Sequence, residues 1–558
     1  MLLSEGIPLS KIGGDASYHG GLRAQLEEKQ YSLGSRATLS AYIPLVLQQE
    51  KESIKSELTS PAKQGDLSLC TSVAVPGALQ GETMHHRCVS VIFDGSTNVA
   101  EVYAIVARFV TDDFFIQQRI IGLHHLRASL NAEQISQTLT EAINDNFNVP
   151  LVAVLAFMHD RAAVNIKALK DMQIFYRNAE RIGCLSHSIS NAGKLFNNTE
   201  THTAFEFVKK WRAIISRSPL ARVLFETQTG QKAKRANMTR WYSEWEVIEQ
   251  LVWKFPELGP FLADCGERGL APENVQAASD LLHGAGNMVT IALHLSIVVD
   301  VGEKFVKSCY TLEGDGFLAI QAFDIISELQ QHCEHFAHPV TDALIRETVK
   351  RLPADVTDVA RAAMSANLLE KAVAAVQPVV KYWKNLLVGD LAPSMKLFEA
   401  CRLLNPARIN DIPTDTVPQL LARFKPGVLN ATTEAERATK IDFLMANLAL
   451  YKARCLNLAA DRDAVQWWRQ NAVVIPGWGA LAYKVALFQP SSASAERVFS
   501  QLKGMFDDDQ SAALEDYRTA ALQVHYNDLQ RRKLEQAREV VPVVPVEVDS
   551  DSSSSDDE

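Results

Sequence analysis

Paired cysteines are missing from this chain. Its eight cysteines are scattered, with no C-x-x-C pair and no cysteine–histidine set at finger spacing near the start. That pattern excludes a zinc finger there and argues against a disulfide framework, leaving most cysteines as small buried hydrophobes. A membrane-length apolar run is also missing: the best stretch, Val289 to Val299, runs into Asp300. The opening residues, Met1-Leu2-Leu3-Ser4-Glu5, lack the basic-then-apolar order of a secretory signal, so an intracellular protein is expected. Nor is there an excess of base. Lys and Arg number 56 against 66 Asp and Glu, a net charge of −10. Glu547, Asp549, Asp551, Asp556, Asp557 and Glu558 supply six of those charges with no intervening base, so the rest of the chain is close to balance. Basic residues can still gather locally, and overall acidity does not exclude a nucleic-acid partner.

What is present is a long chain of ordinary globular composition. Its 558 residues are 47% hydrophobic and 22% charged, which suits a soluble protein of two to four domains. Residues 1–30 are Gly-rich and polar, a helical segment spans Ser40 to Leu58, and 59–86 read as a loop. Strands are expected at Val89–Phe93, Tyr103–Val110, Phe114–Ile121 and Pro150–Phe157, the last being continuously apolar as in a strand buried on both faces. A helix is expected around Ala132 to Asn146. From about 162 the pattern is mostly helical, with a long Ala- and Leu-rich region and no fixed repeat. After Val540 a Pro/Val stretch leads into an acidic serine tail of disordered composition.

Three carboxylates stand out. Asp94 follows Val89–Phe93, and Asp160 follows Val152–Phe157, each at the end of an expected strand. Glu496 lies in the first turn of a helix that Pro490 and the serines from Ser491 can start, with Val498, Leu502 and Met505 on one face. Carboxylates at strand ends suit a divalent-cation site, since phosphoryl transfer uses hard oxygen ligands. Residues of this type also serve as turn residues and helix caps, and a capped surface helix would account for Glu496 alone.

The wording of these segments resembles hAT-family transposases. Phe93-Asp94-Gly95-Ser96-Thr97-Asn98 is similar to the family's first-aspartate motif and His159-Asp160-Arg161-Ala162-Ala163-Val164-Asn165 to its second. Cys184-Leu185-Ser186-His187 resembles the C-x-x-H element, and Thr239-Arg240-Trp241-Tyr242-Ser243 the T-R-W-x-S element. Trp467-Trp468, Pro476, Leu481 and the Ser491–Ser500 segment resemble the carboxy-terminal dimerisation region. The motifs occur in the family's order over roughly residues 35–530. The resemblance implies an α/β RNase H-like domain interrupted by a large all-α insertion. It also implies a catalytic, metal-binding triad of Asp94, Asp160 and Glu496 holding Mg²⁺ or Mn²⁺, cleavage or transfer of DNA strands, self-association and a nuclear location. A domesticated, catalytically inactive DNA- or protein-binding dimer is the alternative. By this reading 1–34 is a poorly ordered lead and 35–86 a helical region. Residues 87–244 are the first part of the core, 245–460 the insertion, 461–535 the dimerisation region completing the core, and 536–558 the acidic tail.

Two departures qualify that expectation. The family's first motif carries a tryptophan two residues after the aspartate, where it stacks on a flipped-out base; here the position is Ser96. A hydroxyl cannot replace an aromatic platform worth about 1–3 kcal/mol per stacked base. The zinc-binding BED finger with which family members often begin is also absent, and Ser32 to Ser40 resembles the region just after such a finger. DNA contacts are expected from Arg240, Trp241 and His187, and from the basic run Lys232, Lys234 and Arg235. A charge run is otherwise simply a solvated face, and Cys184 with His187 is otherwise a core cysteine beside a hydrogen-bonded histidine. Trp467, Trp468 and Phe499 are assigned to the dimer interface, although large rings serve a core equally well.

Overall fold

The computed structural model describes residues 36–59, 70–74, 83–96, 101–126, 129–236, 240–284, 287–337, 367–459, 463–505 and 515–540. The expectations for 1–34, for Thr97, Asn98 and Thr239, and for the acidic tail beyond 540 lie outside the described residues. The strands are β1 (Cys70–Ala74), β2 (Thr83–Arg87), β3 (Val89–Ser96), β4 (Glu101–Val110), β5 (Ile116–Leu126), β6 (Val154–His159) and β7 (Glu180–Gly183). The helices of the first half are α1 (Arg36–Leu58), α2 (Ala132–Thr140), α3 (Ala163–Met172), α4 (Leu185–Lys194), α5 (His202–Arg217) and α6 (Pro219–Thr229). A mostly helical stretch follows: α7 (Trp241–Trp253), α8 (Phe255–Glu267), α9 (Pro272–His283), α10 (Asn287–Leu312), α11 (Ala319–Ala337), α12 (Asn367–Val388) and α13 (Ala392–Cys401). Then come α14 (Val417–Leu421), α15 (Glu434–Ala446), α16 (Leu448–Arg454), α17 (Ala464–Asn471), α18 (Pro476–Val485), α19 (Ala493–Met505) and α20 (Glu515–Val540). Among the described residues no single helix is long and apolar enough to cross a membrane.

Five strands form one mixed sheet in the order β5-β4-β3-β6-β7. β3, β4 and β5 run as an antiparallel meander, while β6 and β7 join β3 in parallel. Branched and aromatic residues suit β3 to a central position, because both of its faces are buried. Val89, Val91 and Phe93 face a cluster with Tyr103, Ile105, Phe109, Ile135, Leu139 and Phe157, against which α2 and α3 pack. Ile92 faces the opposite cluster with Ala104, Val106, Ile120, Met158, Ile189, Val498 and Leu502. Strand alternation therefore sends Asp94 to the side of Ile92, toward α4 and α19.

The late part of the chain covers that second face. α19 packs across β3 and β4, and α20 lies along the edge strand β5 and beside α1. An open sheet edge exposes backbone groups that seek partners. Here Ile120 N–H donates to Asn527 Oδ1 at 2.9 Å, and Ile120 C=O accepts from Gln523 Nε2 at 3.1 Å. Two acids of α1 clamp the same helix: Arg531 bonds Glu50 at 2.9 and 3.0 Å and Glu57 at 2.8 Å, while Arg119 pairs with Glu57 at 2.6 Å.

Several local expectations are corrected. The stretch read as a loop contains the β1–β2 hairpin, registered from Cys70↔Arg87 to Ala74↔Thr83. The helix expected around Ala132 to Asn146 is present, capped by reciprocal bonds between Asn131 and Gln134, and only its last turn differs, being a π turn, Glu141–Asp145. The run from Pro150 starts as a 3₁₀ turn with Val152 exposed, so β6 begins only at Val154. Phe114 takes a left-handed backbone (φ 57°), so the turn runs on and β5 starts at Ile116. Trp467, Trp468 and Phe499, assigned to a dimer interface, are buried within the single chain. Trp467, Trp468 and Trp478 surround Tyr451 with ring centroids 5.0–5.8 Å away, and Trp468 and Trp478 donate their indole N–H groups to the Leu404 and Leu444 carbonyls. These rings close a core and present no surface to a second copy.

Candidate metal centre

The sheet puts two aspartates side by side. Parallel pairing of Phe93 with His159 sets the next residues, Asp94 and Asp160, side by side; Asp160 follows the end of β6, whereas Asp94, expected at a strand end, lies inside β3, which stays paired with β4 as far as Ser96. The Phe93 and His159 rings stack on the opposite face, 6.0 Å apart. Asp94 is 5% exposed, and Gly95 N–H donates to its Oδ1 at 2.8 Å. Asp160 turns back toward the start of α3, where its Oδ1 accepts from Ala162 N–H at 3.2 Å and from the Asn165 amide. The turn-residue alternative for a strand-end aspartate is thus partly realised at Asp160.

The other groups arrive from two distant segments stitched together at one point. Cys184 caps α4, its Sγ accepting from His187 N–H at 3.4 Å. The same sulfur accepts from Ser492 N–H at 3.3 Å, and Leu185 N–H donates to Pro490 C=O at 2.9 Å. Ser492 Oγ lies 3.3 Å from His187 Nδ1 and 3.3 Å from Glu496 Oε1. The C-x-x-H element and the Ser491–Ser500 segment, far apart in sequence, therefore share one hydrogen-bond network. Glu496 is held from its other side by Arg240, which donates Nε to Oε2 at 2.9 Å and Nη2 to Oε1 in a forked pair. Arg240 Nη2 also lies 3.6 Å from Glu313 Oε1, at the end of α10.

Carboxylates dominate the charge of this centre. Burial, with Asp160 beside it, pushes the Asp94 carboxyl up to about 7, against the opposing pull of His187. Burial lowers His187, and Arg240 adds to that, while Asp94, Asp160 and Glu313 oppose it. Burial raises Glu313, with Arg240 opposing. Ligand atoms of Asp94, His187 and Glu496 all lie within 4.8 Å of one another. One buried and several half-buried acids beside one guanidinium have the chemistry of a divalent-cation site, and these residues fit such an ion.

The structure gathers Asp94, Glu496, His187 and Arg240 and sets Asp160 alongside them. Trp241 is a correction. Its ring is 3% exposed and stacks on Phe196 at 5.3 Å, in a slot between Gly193 and Gly302 where a Cβ at either position would collide with it. A ring so enclosed packs α7 against α4 and α10 and offers no face to a base. Ser243 finishes the same element by donating its hydroxyl to Arg240 C=O at 2.8 Å. Lys232 is exposed, Lys234 and Arg235 lie at the surface beside it, and Lys234 pairs with Glu249 at 2.9 Å. Sequence reasoning missed Glu313, which no motif marks, and gave Ser492 no part beyond its place in the serine run.

The architecture defines a class: a mixed five-stranded sheet domain with a mostly helical remainder. Within it, residues 43–153 match the family model DUF4371, described as the ZMYM1/FAM200 RNase-like domain. That family is transposase-derived and related to hAT. The match runs from α1 to the entry of β6, so it includes Asp94 and stops before Asp160, His187, Arg240 and Glu496. No curated protein matches the chain in sequence.

Proposed function

We propose that this chain is a transposase-derived protein of the hAT type. Its RNase H-like centre, built from Asp94, Asp160 and Glu496, would bind Mg²⁺ or Mn²⁺ and cleave or transfer DNA strands. The observation that carries this reading is the convergence of Asp94, from the first strand of the antiparallel meander, with Glu496, from near the end of the chain, to within 4.8 Å. A divalent cation at such a centre would activate the attacking oxygen and neutralise charge on the phosphodiester. The chain's own part is to hold the ligands. β3 fixes Asp94, α19 presents Glu496, and the Cys184–Ser492 junction keeps α4 and α19 in register. Arg240 restrains Glu496, and the surface residues Lys232, Lys234 and Arg235 supply cations for the DNA backbone. Self-association and a nuclear location belong to the same proposal. Because Trp467, Trp468 and Phe499 are internal, self-association would use other surfaces.

A second reading is favoured by one contact. The forked Arg240–Glu496 pair engages both carboxylate oxygens of Glu496, which suits a protein that binds DNA or protein partners without cutting. Incubation of the full chain with nicked or branched DNA and Mn²⁺, beside Glu496→Gln, separates the two. Cleavage by the wild type alone supports the nuclease. Binding without cleavage by either supports the module, and cleavage that persists in Glu496→Gln means another centre or a contaminant.

A further inference from the structure

The geometry points to a nitrogen ligand: we propose that Asp94, His187 and Glu496 form a two-carboxylate, one-imidazole site for a first-row transition ion such as Mn²⁺ in preference to Mg²⁺. The inference rests on the reading above that a cation binds at this centre, and it alters which side chains hold the ion.

Three observations support it. The ligand atoms that converge within 4.8 Å belong to Asp94, His187 and Glu496, a set that does not include Asp160. Asp160 turns its Oδ1 to Ala162 N–H and Asn165 at the start of α3 and stands outside that set, whereas Glu496 stays within it although Arg240 holds both of its oxygens. Asp94 is the reverse case: it is more than nine-tenths buried, and among the described residues the hydrogen bond it receives comes from Gly95 N–H. A buried carboxylate with so little compensation calls for a further positive partner.

His187 is placed for the role. Its backbone is fixed by the Cys184 cap, and Ser492 Oγ lies against the ring at Nδ1. Its Nδ1 is 3.8 Å from Glu496 Oε1, a separation that one ion bridging the two groups would reduce little. Chemistry then sets the preference. Mg²⁺ favours an all-oxygen octahedron and sheds water reluctantly, whereas imidazole nitrogen suits later first-row ions.

The test uses the full chain loaded with Mn²⁺ and read by pulsed electron paramagnetic resonance. The expected spectrum carries ¹⁴N modulation from one directly bound imidazole, which changes to the ¹⁵N pattern when the chain is made with ¹⁵N-histidine. His187→Gln should abolish the modulation and weaken Mn²⁺ binding at least ~10-fold, with a smaller loss for Mg²⁺. The labelled wild type keeps the test decisive even if that variant does not fold. Bound Mn²⁺ with no nitrogen modulation would overturn the inference while leaving an all-carboxylate centre standing. Modulation that survives in folded His187→Gln would overturn it as well. Failure of the wild type to bind Mn²⁺ would overturn both the inference and the cation reading beneath it.

Discussion

Two partly buried ionic clusters tie late segments of this chain to the sheet, and they are built on opposite plans. At the β5 edge, Glu50 and Glu57 of α1 meet Arg119 and Arg531, with Asp528 3.3 Å from Arg531 as a third acid, and Asn527 adds a bond to Glu50 at 2.8 Å. Around the carboxyl side of the sheet stand Asp94, Asp160, Glu313 and Glu496; Arg240 pairs with Glu496 and lies 3.6 Å from Glu313, while Arg497 is engaged by Asp315 and by the Glu313 carbonyl. In the first cluster each guanidinium is matched to acids within the chain, close to balance. The second carries excess negative charge, which a structural role does not require and a cation site does.

The largest predicted effect attacks the balanced cluster. Arg531→Ala should cost about 3–5 kcal/mol of stability, because it leaves Glu50 and Glu57 under-compensated in a partly buried place. Urea unfolding reads this directly, and Mn²⁺ should not rescue it. A loss under ~1 kcal/mol would place the cluster among ordinary surface pairs. Arg240→Gln should also destabilise in EDTA, by on the order of 2–4 kcal/mol, but here saturating Mn²⁺ should recover much of the loss and stabilise the variant more than the wild type. Equal behaviour of the two arginine variants toward Mn²⁺ would erase the distinction between the clusters.

For the wild type, Mn²⁺ at about a hundredfold excess over its dissociation constant should add about 2.7 kcal/mol, read as a rise in Tm that Glu496→Gln lacks. Asp94 sharpens the contrast through pH. Its folded pKa, about 7, is raised above the ordinary carboxylate value of 3.8. The folded state therefore binds the proton more tightly than the unfolded state, and stability falls as pH rises from about 4 to 7. Asp94→Asn should remove that loss, so that without metal it melts above the wild type at about pH 8, with the gap closing by about pH 4. The smallest effect belongs to the surface run: Lys234→Ala should change stability by under ~0.5 kcal/mol while lowering the salt slope of DNA binding by about one.

Much of this was legible because strands announce themselves locally. Val89–Phe93 and Tyr103–Val110 carry branched and aromatic residues in runs that hold in the sheet, and the helix after Ser492 buries the anticipated Val498 and Leu502. β7 was not legible: Glu180-Arg181-Ile182-Gly183 has one apolar anchor, and its pairing with β6 supplies what its sequence does not. The site was legible as far as motifs named its residues. Their partners were not, because nothing local tells Arg240 that Glu496 will lie beside it or that Glu313 will close from α10. Trp241 and the Trp467–Trp468 pair show the opposite limit. Their ring chemistry is plain from sequence, but whether a ring faces a ligand, a partner or the core is decided by what packs over it, here Gly193 and Gly302 in one case and Tyr451 in the other.

The covering of the sheet by α19 and α20 has a consequence for how the molecule is made. The strands of the sheet leave the ribosome hundreds of residues before their lid. Throughout that interval Ile92, Val106 and Ile120 have no late helices against them, and the β5 edge lacks Asn527 and Gln523. Nascent chains of this protein therefore spend most of their synthesis with a sticky, unfinished sheet, the condition that recruits chaperones. The delay also has a protective side: a product truncated anywhere before Glu496 lacks the last acid of the cluster, so prematurely ended translation releases no chain that carries all of these carboxylates.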